Sequence, residues 1–448
     1  MAKIGFVSLG CSKNLVDTEV MLHALVSAGY EITPDETEAD IVVVNTCGFI
    51  GDAKQESIDN ILDIAWLKKN RSLRGIIATG CMVERYREAV LEELPEVDAA
   101  LGIAARDRIV EAVEAVLRGE RFSAFGDVDE APLGGDRVLT TPEHMAYLKI
   151  AEGCDNRCTY CAIPLIRGRF RSRPIEDIVA EAQGLAELGV KELCLIAQDT
   201  TRYGLDLYGE YRLADLVRAI CEGTDIPWIR LLYCYPDKIT DELIAELRDN
   251  PRLLKYMDIP IQHISDRVLS AMNRHGDKRT ICEAIARLRA AVPDITLRTT
   301  VIVGFPGETE EEFSELCEFV KEARFDRFGA FAYSPEEDTP AALLPDQIDE
   351  QEKQDRYDTV MATQLPIAEE KNAEKVGKTI TVLCEGYDPV AGTHFGRSEA
   401  DAPDIDGKVF FSNELGKTRF KEGQFVLVKI SDCYDDYDLV GAAVNGHL

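Results

Sequence analysis

The hydrophobic positions of the first hundred residues alternate between strand-like and helix-like patterns. Four short apolar runs rich in β-branched residues predict strands, and the amphipathic stretches that follow them predict helices. The strands are expected at 3–9, 40–46, 75–79 and 97–103, and the helices up to about Gly29 and at 52–69, 83–94 and 106–117. Strands that alternate with helices predict a doubly wound parallel α/β domain.

A second and longer βα series follows a stretch that is rich in Gly, Pro and charged residues. Its strands are expected at 146–152, 192–198, 228–235, 256–262, 295–303 and 328–334. Helical patterns lie between them, for example at 175–189 and 309–323, and a long helix is expected near 349–374. Six βα units favour a partial TIM-like (β/α)6 barrel over an open sheet.

From about Val376 the pattern changes to short alternating strands separated by Gly and Asp, which predicts a small antiparallel β-barrel. The chain is therefore interpreted as an α/β multidomain protein. We expect an N-terminal domain over 1–118, a linker over 119–143, a partial barrel over 144–375 and the β-barrel over 376–448.

Composition and charge narrow the possible classes of protein. The 448 residues are 46% hydrophobic and 29% charged, as in globular proteins. The formal net charge of −31 disfavours direct nucleic-acid binding, which depends on Lys and Arg, and favours a basic partner. No targeting pattern follows Met1 and no apolar run approaches the length of a membrane span, so we expect a cytoplasmic protein without membrane contact. The oligomeric state stays open, with a monomer as the default expectation.

The sharpest motif is a group of three cysteines within eight residues, directly after a predicted strand. Thirteen cysteines in a reducing compartment indicate metal binding, catalysis or burial rather than disulfides. Cys154, Cys158 and Cys161 cannot complete a structural zinc site, but three thiolates can bind three irons of a four-iron cluster and leave the fourth open. A zinc knuckle and incidental buried thiols are the alternatives.

A second set of cysteines is dispersed along the N-terminal domain. Cys11, Cys47 and Cys81 each follow a predicted strand and each adjoin a glycine. Because the carboxyl ends of parallel strands meet at one edge, these thiols are expected to form a second three-thiolate site. The alternative for each is a small buried hydrophobic residue. The other cysteines are interpreted as packing residues: Cys194, Cys221, Cys234, Cys282, Cys317, Cys384 and Cys433.

The CxxxCxxC motif, with Tyr160 before its last cysteine, resembles that of the radical S-adenosylmethionine enzymes. With the three earlier cysteines and the terminal TRAM-like barrel, the whole chain resembles the methylthiotransferase branch of that family. The resemblance implies two [4Fe–4S] clusters and S-adenosylmethionine, which binds at the open iron of the second cluster. The implied ligands are Cys11, Cys47 and Cys81 for the first cluster, and Cys154, Cys158 and Cys161 for the second.

The same resemblance implies the reaction. An electron from the second cluster cleaves S-adenosylmethionine, the resulting radical removes a substrate hydrogen, and the substrate carbon receives a methylthio group carried at the first cluster. The clusters carry the chemistry while the protein positions the reactants and excludes water, so no catalytic side chain is assigned. An electron donor such as flavodoxin or ferredoxin is the expected partner.

Residues at the ends of the barrel strands match positions that bind S-adenosylmethionine in the family. Gln198 and Asp199 correspond to contacts with the methionine amino group. Gly304 and Gly307 lie in a GFPGET sequence that resembles the loop on the adenine side, where glycine permits a close approach.

Two further residues are expected at the same cofactor. Tyr160 is expected to pack against adenine, and Arg298 to pair with the methionine carboxylate. A run of arginines after the cluster motif is expected to form intramolecular salt bridges, with recognition of a carboxylate, including that of the target aspartate, as the alternative: Arg167, Arg169, Arg171 and Arg173.

Two sequences favour one of the two substrates known in this branch. SLGCSKNLVDTE (8–19) and residues 146–174 resemble enzymes that modify the β-carbon of an aspartate in the twelfth small-subunit ribosomal protein, whereas enzymes that modify tRNA adenosine usually have a GCQMN-like sequence at the first cysteine. Residues 376–448 contain seven Lys or Arg and twelve Asp or Glu, a net charge of −5, which suits a basic ribosomal protein. The acidic tail 432–438 is part of this charge, with a solvated loop as the alternative.

Two other functions stay open at this point. If the protein were a tRNA methylthiotransferase, we would expect a continuous positive surface on the terminal barrel. A non-catalytic electron carrier would be expected to use four thiolates for each cluster rather than three.

Overall fold

The structure, a computed structural model, describes residues 2–413, 419–434 and 437–444. Within them the α-helices are α1 (Ser12–Ser27), α2 (Gly51–Asn70), α3 (Cys81–Tyr86), α4 (Ala89–Glu93), α5 (Ile109–Leu117), α6 (Ile163–Arg167), α7 (Ile175–Glu187), α8 (Leu205–Tyr208), α9 (Leu213–Gly223), α10 (Asp241–Asp249), α11 (Asp266–Ala271), α12 (Lys278–Ala291), α13 (Glu310–Ala323) and α14 (Glu350–Ala373).

The β-strands within the same residues are β1 (Lys3–Ser8), β2 (Glu31–Thr33), β3 (Ile41–Thr46), β4 (Gly75–Gly80), β5 (Ala99–Leu101), β6 (Phe122–Ala124), β7 (Met145–Lys149), β8 (Ala151–Glu152), β9 (Arg171–Ser172), β10 (Glu192–Ile196), β11 (Trp228–Leu231), β12 (Leu253–Asp258), β13 (Thr296–Val303), β14 (Arg327–Ala332), β15 (Thr379–Asp388), β16 (Thr393–Ser398), β17 (Val409–Ser412), β18 (Phe425–Tyr434) and β19 (Asp438–Ala443).

Six parallel strands form the N-terminal sheet, in the order β2-β1-β3-β4-β5-β6. Helices α1 and α5 pack on one face and α2, α3 and α4 on the other, which confirms the doubly wound domain. The hydrophobic pattern did not reveal β2 and β6, because EIT and FSA each contain a single large apolar residue and form no apolar run. Since β6 pairs with β5, the segment expected to be a linker over 119–143 begins inside the sheet, and the domain boundaries stay a prediction.

The central domain is a six-stranded parallel sheet in the order β14-β13-β12-β11-β10-β7. Its outer face packs against helices that include α7, α9, α10, α12 and α13, which confirms the partial barrel. The strand predicted over 228–235 ends at Leu231, and the chain then turns through Tyr233, whose φ is 62°. The long helix expected near 349–374 is α14. No helix of the described residues has the length and apolar character needed to cross a membrane.

The C-terminal domain is a closed five-stranded barrel in the order β15-β16-β17-β19-β18. Val382, Val409, Phe411 and Val428 fill its core. Four strand pairs are antiparallel, as predicted, but β17 and β19 pair in parallel. The sequence did not indicate β16, because THFGRS contains a single large apolar residue.

The other two domains cover the inner face of the partial barrel. Val16 of α1 and Leu383 and Ala402 of the C-terminal barrel pack into a core with Tyr147 and Trp228. The cysteines expected to be packing residues are confirmed as such, either buried or partly buried in apolar surroundings: Cys194, Cys221, Cys234, Cys282, Cys317, Cys384 and Cys433.

A loop between β16 and β17 joins the C-terminal domain to the same inner face. We name it the aspartate loop, after Asp401, Asp404 and Asp406. Asp401 pairs with Arg327, and Asp404 and Asp406 accept hydrogen bonds from tyrosines of β7 and β12 at 3.2 and 2.6 Å. Nearby, Glu192 of β10 lies 2.7 Å from Arg230 and 2.5 Å from Arg397 of β16.

Candidate active site

The three cysteines of the N-terminal domain lie at the carboxyl edge of its sheet. Cys11 follows β1, Cys47 follows β3 and Cys81 begins α3 directly after β4. The β1–β3 boundary is the point at which the strand order reverses, and doubly wound sheets bind ligands at such a point. Gly10 packs so tightly against Cys47 that a Cβ atom there would lie 3.0 Å from the Cys47 Sγ. The structure therefore brings the segments that carry the three cysteines together, and we name these residues the first triad.

Asn14, in the first turn of α1, connects the segments of the first triad. Its Nδ2 donates to the carbonyls of Leu9 and Thr46 at 3.0 and 2.9 Å, and its Oδ1 lies 3.4 Å from the Cys81 Sγ. Sequence analysis passed over this residue. The sequence offers only one sign of this role, an amide side chain three positions after a cysteine, and that sign is not specific without the fold.

Nearby charges act differently on the thiols of the first triad. Burial raises the pKa of Cys81 to about 12 and also raises the pKa of Cys47. Desolvation opposes ionisation of Cys11 too, but the cations of Lys13 and Arg167 bring the pKa of Cys11 below its ordinary value. Within the first triad, Cys11 is therefore the thiol whose ionised form is most favoured.

The motif cysteines lie in the loop between β8 and α6, at the carboxyl ends of the barrel strands. Hydrogen bonds fix this loop: Cys154 N–H donates to Gly168 O at 3.1 Å, and Thr159 N–H donates to Met272 O at 3.0 Å. Within the loop, the N–H of Cys161 donates to the carbonyl of Cys158 at 3.0 Å. We name Cys154, Cys158 and Cys161 the second triad.

Two residues that sequence analysis missed lie beside the second triad. The Tyr235 hydroxyl is 3.8 Å and the Arg274 Nη1 is 3.9 Å from the Cys158 Sγ. The Arg274 guanidinium stacks 4.0 Å from the Tyr235 ring centroid. No motif marks these residues, since the fold alone brings the loops after β11 and α11 to the cysteine motif.

The thiol geometry bears on which metal species fits. Among the described residues, no three His, Cys, Asp or Glu side chains converge closely enough to hold a single metal ion. In a four-iron cluster each cysteine binds a different iron, so its thiols spread around the cluster instead of converging on one ion. Two sets of three soft sulfur ligands fit iron–sulfur chemistry. The assignment of these six cysteines as ligands stays a prediction.

Gln198 and Asp199 occupy different positions at the end of β10. The Gln198 Oε1 is buried and has no hydrogen-bond partner among the described residues, as expected of an acceptor meant for a bound ligand. Asp199 is already engaged by Asn156, at 2.8 Å, and by Lys238, at 3.2 Å. Because Asn156 belongs to the cysteine motif, Asp199 positions that motif.

Tyr160 and the glycines of the GFPGET loop lie on one side of the second triad. Tyr160 packs against a hydrophobic cluster that includes Phe305 of that loop, and burial together with the Cys158 thiol raises the pKa of Tyr160 well above its ordinary value. Gly304 and Gly307 have φ values of 72° and 74°, in the region that favours glycine. The close approach at Gly304 is to the Lys353 side chain, which a Cβ atom would meet.

Arg298 is already paired with carboxylates of the protein. Its guanidinium lies 2.9 Å from Asp258 and 3.5 Å from Asp406 of the aspartate loop. Two carboxylates thus already engage this arginine, and the geometry gives no support to its predicted pairing with the methionine carboxylate. Arg274, and not Arg298, is the arginine whose side chain lies beside Cys158.

The basic run after the motif makes intramolecular contacts, as expected. Arg173 lies 2.7 Å from Glu181, and Arg169 lies 3.8 Å from Asp129. Arg171 donates to the carbonyls of Ala131 and Val128 at 2.8 and 2.9 Å rather than to a carboxylate.

Arg167 belongs to a buried charge network between the N-terminal domain and the partial barrel. Lys149 and Arg167 both contact Asp17 and Glu152, at 2.7 to 3.0 Å, and Arg106 lies 3.3 Å from Asp17. We name these five residues the interface network. Its three cations face two carboxylates, and the Arg167 Nη2 lies 3.6 Å from the Cys81 Sγ. The excess positive charge therefore lies beside the first triad, where bound thiolates are negative.

A second set of ion pairs joins the N-terminal domain to the opposite edge of the partial barrel. Lys54 and Arg85 lie 2.9 and 2.8 Å from Glu336, in the segment after β14. Lys149 of the interface network belongs to β7, the other edge strand. The N-terminal domain thus spans both edges of the open sheet, and the two triads lie on the two sides of this interface.

Three family profiles match the chain. They are the Radical SAM superfamily over residues 148–320, Uncharacterized protein family UPF0004 over residues 3–102, and the TRAM domain over residues 376–444. The second triad therefore falls in the radical SAM match, and the first triad falls in the UPF0004 match.

Solved structures share the fold at low sequence identity. Two structures of the radical S-adenosylmethionine methyltransferase TsrM from Kitasatospora setae align with TM-scores of 0.57 and 0.58, each at 15% identity. They cover 77% and 76% of this chain, and the alignments span 75% and 77% of the TsrM chains.

Full-length relatives are far more similar. The protein named ribosomal protein uS12 methylthiotransferase RimO from Lachnoclostridium phytofermentans is 50% identical over 98% of this chain and 100% of its own length. The protein of the same name from Caldicellulosiruptor saccharolyticus is 48% identical over 99% of this chain and 100% of its own length. The chain therefore belongs to the radical S-adenosylmethionine methylthiotransferases of the RimO family.

Proposed function

We propose that the protein methylthiolates the β-carbon of an aspartate in ribosomal protein uS12, using S-adenosylmethionine and two [4Fe–4S] clusters. One observation carries this proposal: a chain that matches uS12 methylthiotransferases over nearly its whole length has a cysteine triad on each side of one domain interface. An enzyme that transfers sulfur from one cluster to a carbon activated at another needs this arrangement.

Each triad is proposed to hold one cluster. Cys11, Cys47 and Cys81 hold the first, and Cys154, Cys158 and Cys161 hold the second. When bound, the clusters and S-adenosylmethionine supply the one-electron chemistry and the methylthio group, which no side chain can supply. The protein's own contribution is positional, because Asn14 connects the first triad and the interface network fixes the two domains relative to each other.

The residues beside the second triad are proposed to bind S-adenosylmethionine. The unpartnered Oε1 of Gln198 accepts a hydrogen bond from the methionine ammonium group. Tyr160, Gly304 and Gly307 form the adenine side of the site, where the positive φ of each glycine shapes the loop. Asp199 acts indirectly, by holding Asn156 in the cysteine motif.

The net change at the substrate is the replacement of one hydrogen on the aspartate β-carbon by a methylthio group, a gain of SCH₂. A β-hydrogen next to a carboxylate is too weakly acidic for a side-chain base, so radical chemistry in a water-excluded chamber is required. The reaction needs electrons from outside, and we propose flavodoxin or ferredoxin as the donor. The overall negative charge of the chain favours encounter with a basic ribosomal protein.

The decisive experiment is anaerobic reconstitution with iron and sulfide, followed by incubation with S-adenosylmethionine, a reductant and uS12. Mass spectrometry should find SCH₂ added to one aspartate of uS12. Replacement of Cys154, Cys158 and Cys161 by Ala should abolish 5′-deoxyadenosine release. Replacement of Cys11, Cys47 and Cys81 should abolish methylthio transfer while deoxyadenosine is still released.

Two results would refute the proposal. Unmodified uS12 together with methylthiolated adenosine in tRNA would assign the chain to the other substrate. Full product formation by the variant lacking the first triad would remove the role given to those cysteines. Reduced flavodoxin and reduced ferredoxin, each replacing the chemical reductant, test the electron donor.

A further inference from the structure

Lys13 is a buried cation at the domain interface that no carboxylate neutralises. It lies in the first turn of α1, two residues after Cys11, and only 4% of its surface is exposed. In the described part of the chain, no carboxylate oxygen lies within 4.0 Å of its ammonium group. The ammonium instead lies 3.0 Å from the centroid of the Tyr233 ring. The Cys11 thiol, whose pKa this cation lowers, is a nearby group that can carry negative charge. Burying an ammonium group without a paired carboxylate is costly, and a single cation–π contact offsets only part of that cost.

Arg167 and three lysines other than Lys13 around this interface have carboxylate partners. Arg167 contacts Asp17 and Glu152, and Lys238 lies 3.2 Å from Asp199. Lys149 and Lys54 are paired in the same way with Asp17 and with Glu336, at 2.7 and 2.9 Å. Lys13 thus differs from these lysines because no carboxylate of the described residues pairs with its ammonium group, which belongs to the same helical turn that follows Cys11.

The position of Lys13 connects the two triads. Its aromatic partner, Tyr233, and the neighbour of the second triad, Tyr235, belong to the same loop after β11. The Tyr233 N–H donates to Asp258 at 3.0 Å, which ties this loop to β12. Through the contact between Lys13 and Tyr233, the first turn of α1 meets the loop whose Tyr235 lies beside the second triad.

We propose that Lys13 binds the carboxylate of the substrate aspartate and thereby selects aspartate over uncharged side chains. This inference rests on the proposed function, since it assigns a recognition group to the same substrate. The Tyr233 ring holds the ammonium in place before the substrate arrives, and the substrate carboxylate then pairs with it. A charge-assisted hydrogen bond in a site shielded from water favours aspartate over asparagine by about 10- to 100-fold in affinity.

The test compares binding of uS12 with binding of its Asp→Asn variant at the modified position. Reconstituted enzyme is used with S-adenosylmethionine but without reductant, so that nothing turns over. Wild type should bind the aspartate form about 10- to 100-fold more tightly, Lys13→Met should bind both forms equally, and Lys13→Arg should restore a preference. Lys68→Met is the matched control, because Lys68 pairs with Asp98 far from both triads and its loss should leave the preference intact.

The outcomes separate this inference from the proposed function. If wild type methylthiolates uS12 but Lys13→Met keeps the full preference for aspartate, the inference is wrong and the function stands. Equal affinity of wild type for the two forms of uS12 would also overturn it. Iron and sulfide are measured on every variant. If Lys13→Met loses both the preference for aspartate and a cluster, the role of Lys13 is to support the first triad, and the inference about substrate binding is wrong.

Discussion

Arg167 is the residue whose replacement tests the interface network most directly. Its guanidinium is buried and lies 3.0 Å from both Asp17 and Glu152, 2.7 Å from the Asn14 Oδ1 and 3.6 Å from the Cys81 Sγ. Removing one partner of a buried ion pair costs about 3–5 kcal/mol. For Arg167→Met we expect the low end, about 3 kcal/mol, because Lys149 and Arg106 still neutralise the two carboxylates.

Urea unfolding of the reconstituted protein, followed by circular dichroism, measures this loss. Arg169→Met is a close control, since this arginine lies two residues away but is 75% exposed and 3.8 Å from its carboxylate partner. Its removal should change the free energy of unfolding by less than about 0.5 kcal/mol. The double variant of Arg167→Met with Glu152→Gln should recover at least about 1 kcal/mol relative to the sum of the single changes.

A second measurement distinguishes the electrostatic role of Arg167 from a purely structural one. Because its positive charge lies beside Cys81, Arg167→Met should make the first cluster harder to reduce, which electron paramagnetic resonance follows during a redox titration. If Arg167→Met were as stable as Arg169→Met and left the reduction potential unchanged, the reasoning about the interface network would be refuted.

Two further predictions concern backbone conformation and pH. Gly304→Ala should destabilise the protein by about 1–3 kcal/mol in urea unfolding, because the position has a φ of 72° and a Cβ atom would collide with Lys353 of α14. Gly184→Ala is the control: it lies inside α7 with nothing within 4 Å of the new Cβ atom and should stabilise the protein by about 0.5–1 kcal/mol. Equal effects of the two substitutions would contradict this account. Although burial raises the pKa of Glu192, the cations Arg397 and Arg230 bring that pKa down to about 2. The stability that the charged Glu192 contributes is therefore fully present above pH about 4.5 and is lost as the pH falls toward 2. The free energy of unfolding, measured as a function of pH, should be lower for Glu192→Gln than for wild type at pH 7 and the same for both near pH 2.

The parts of the fold that the sequence predicted are those with clear apolar runs. All six barrel strands were predicted because each lies in a short run rich in apolar residues, and the helix over 349–374 was predicted as well. The strands β2 and β6 were missed because each contains a single large apolar residue. The first triad was predicted because cysteines that follow parallel strands lie at one edge of a sheet, and the second because its three cysteines lie within eight residues.

Contacts between domains could not be predicted from the sequence. Arg298 was assigned to the cofactor because its own strand places it near the site, but its partner Asp406 comes from another domain. Lys13 and Arg274 have no motif, and their importance depends on tyrosines of the loop after β11. Side-chain partners that are distant in sequence depend on how the domains dock, and no local pattern encodes docking.

The charges of the C-terminal barrel are divided between its surface and its interior. Asp401 is buried, and Asp406 and Glu385 lie close to arginines, so these charges do not contribute fully to the surface. Among the described residues of this domain, five cations and four anions are exposed: Lys378, Lys408, Arg419, Lys421, Lys429, Glu399, Asp404, Glu422 and Asp432. Asp388 and Asp438 are partly exposed, and Glu414, Lys417, Asp435 and Asp436 lie outside the described residues. The net charge of −5 therefore includes buried charges as well as those that a partner meets.

The aspartate loop has a consequence for anyone who shortens this chain. A protein that stopped at residue 375 would leave Arg327 without its anion, Glu192 with one arginine instead of two, and the apolar surface around Trp228 open to water. Such a truncation would destabilise the partial barrel by exposing its inner face, so a loss of activity would not show that the terminal domain recognises substrate. Recognition by that domain is better tested with point substitutions on its outer surface, such as Lys421 and Lys429, which leave the loop in place.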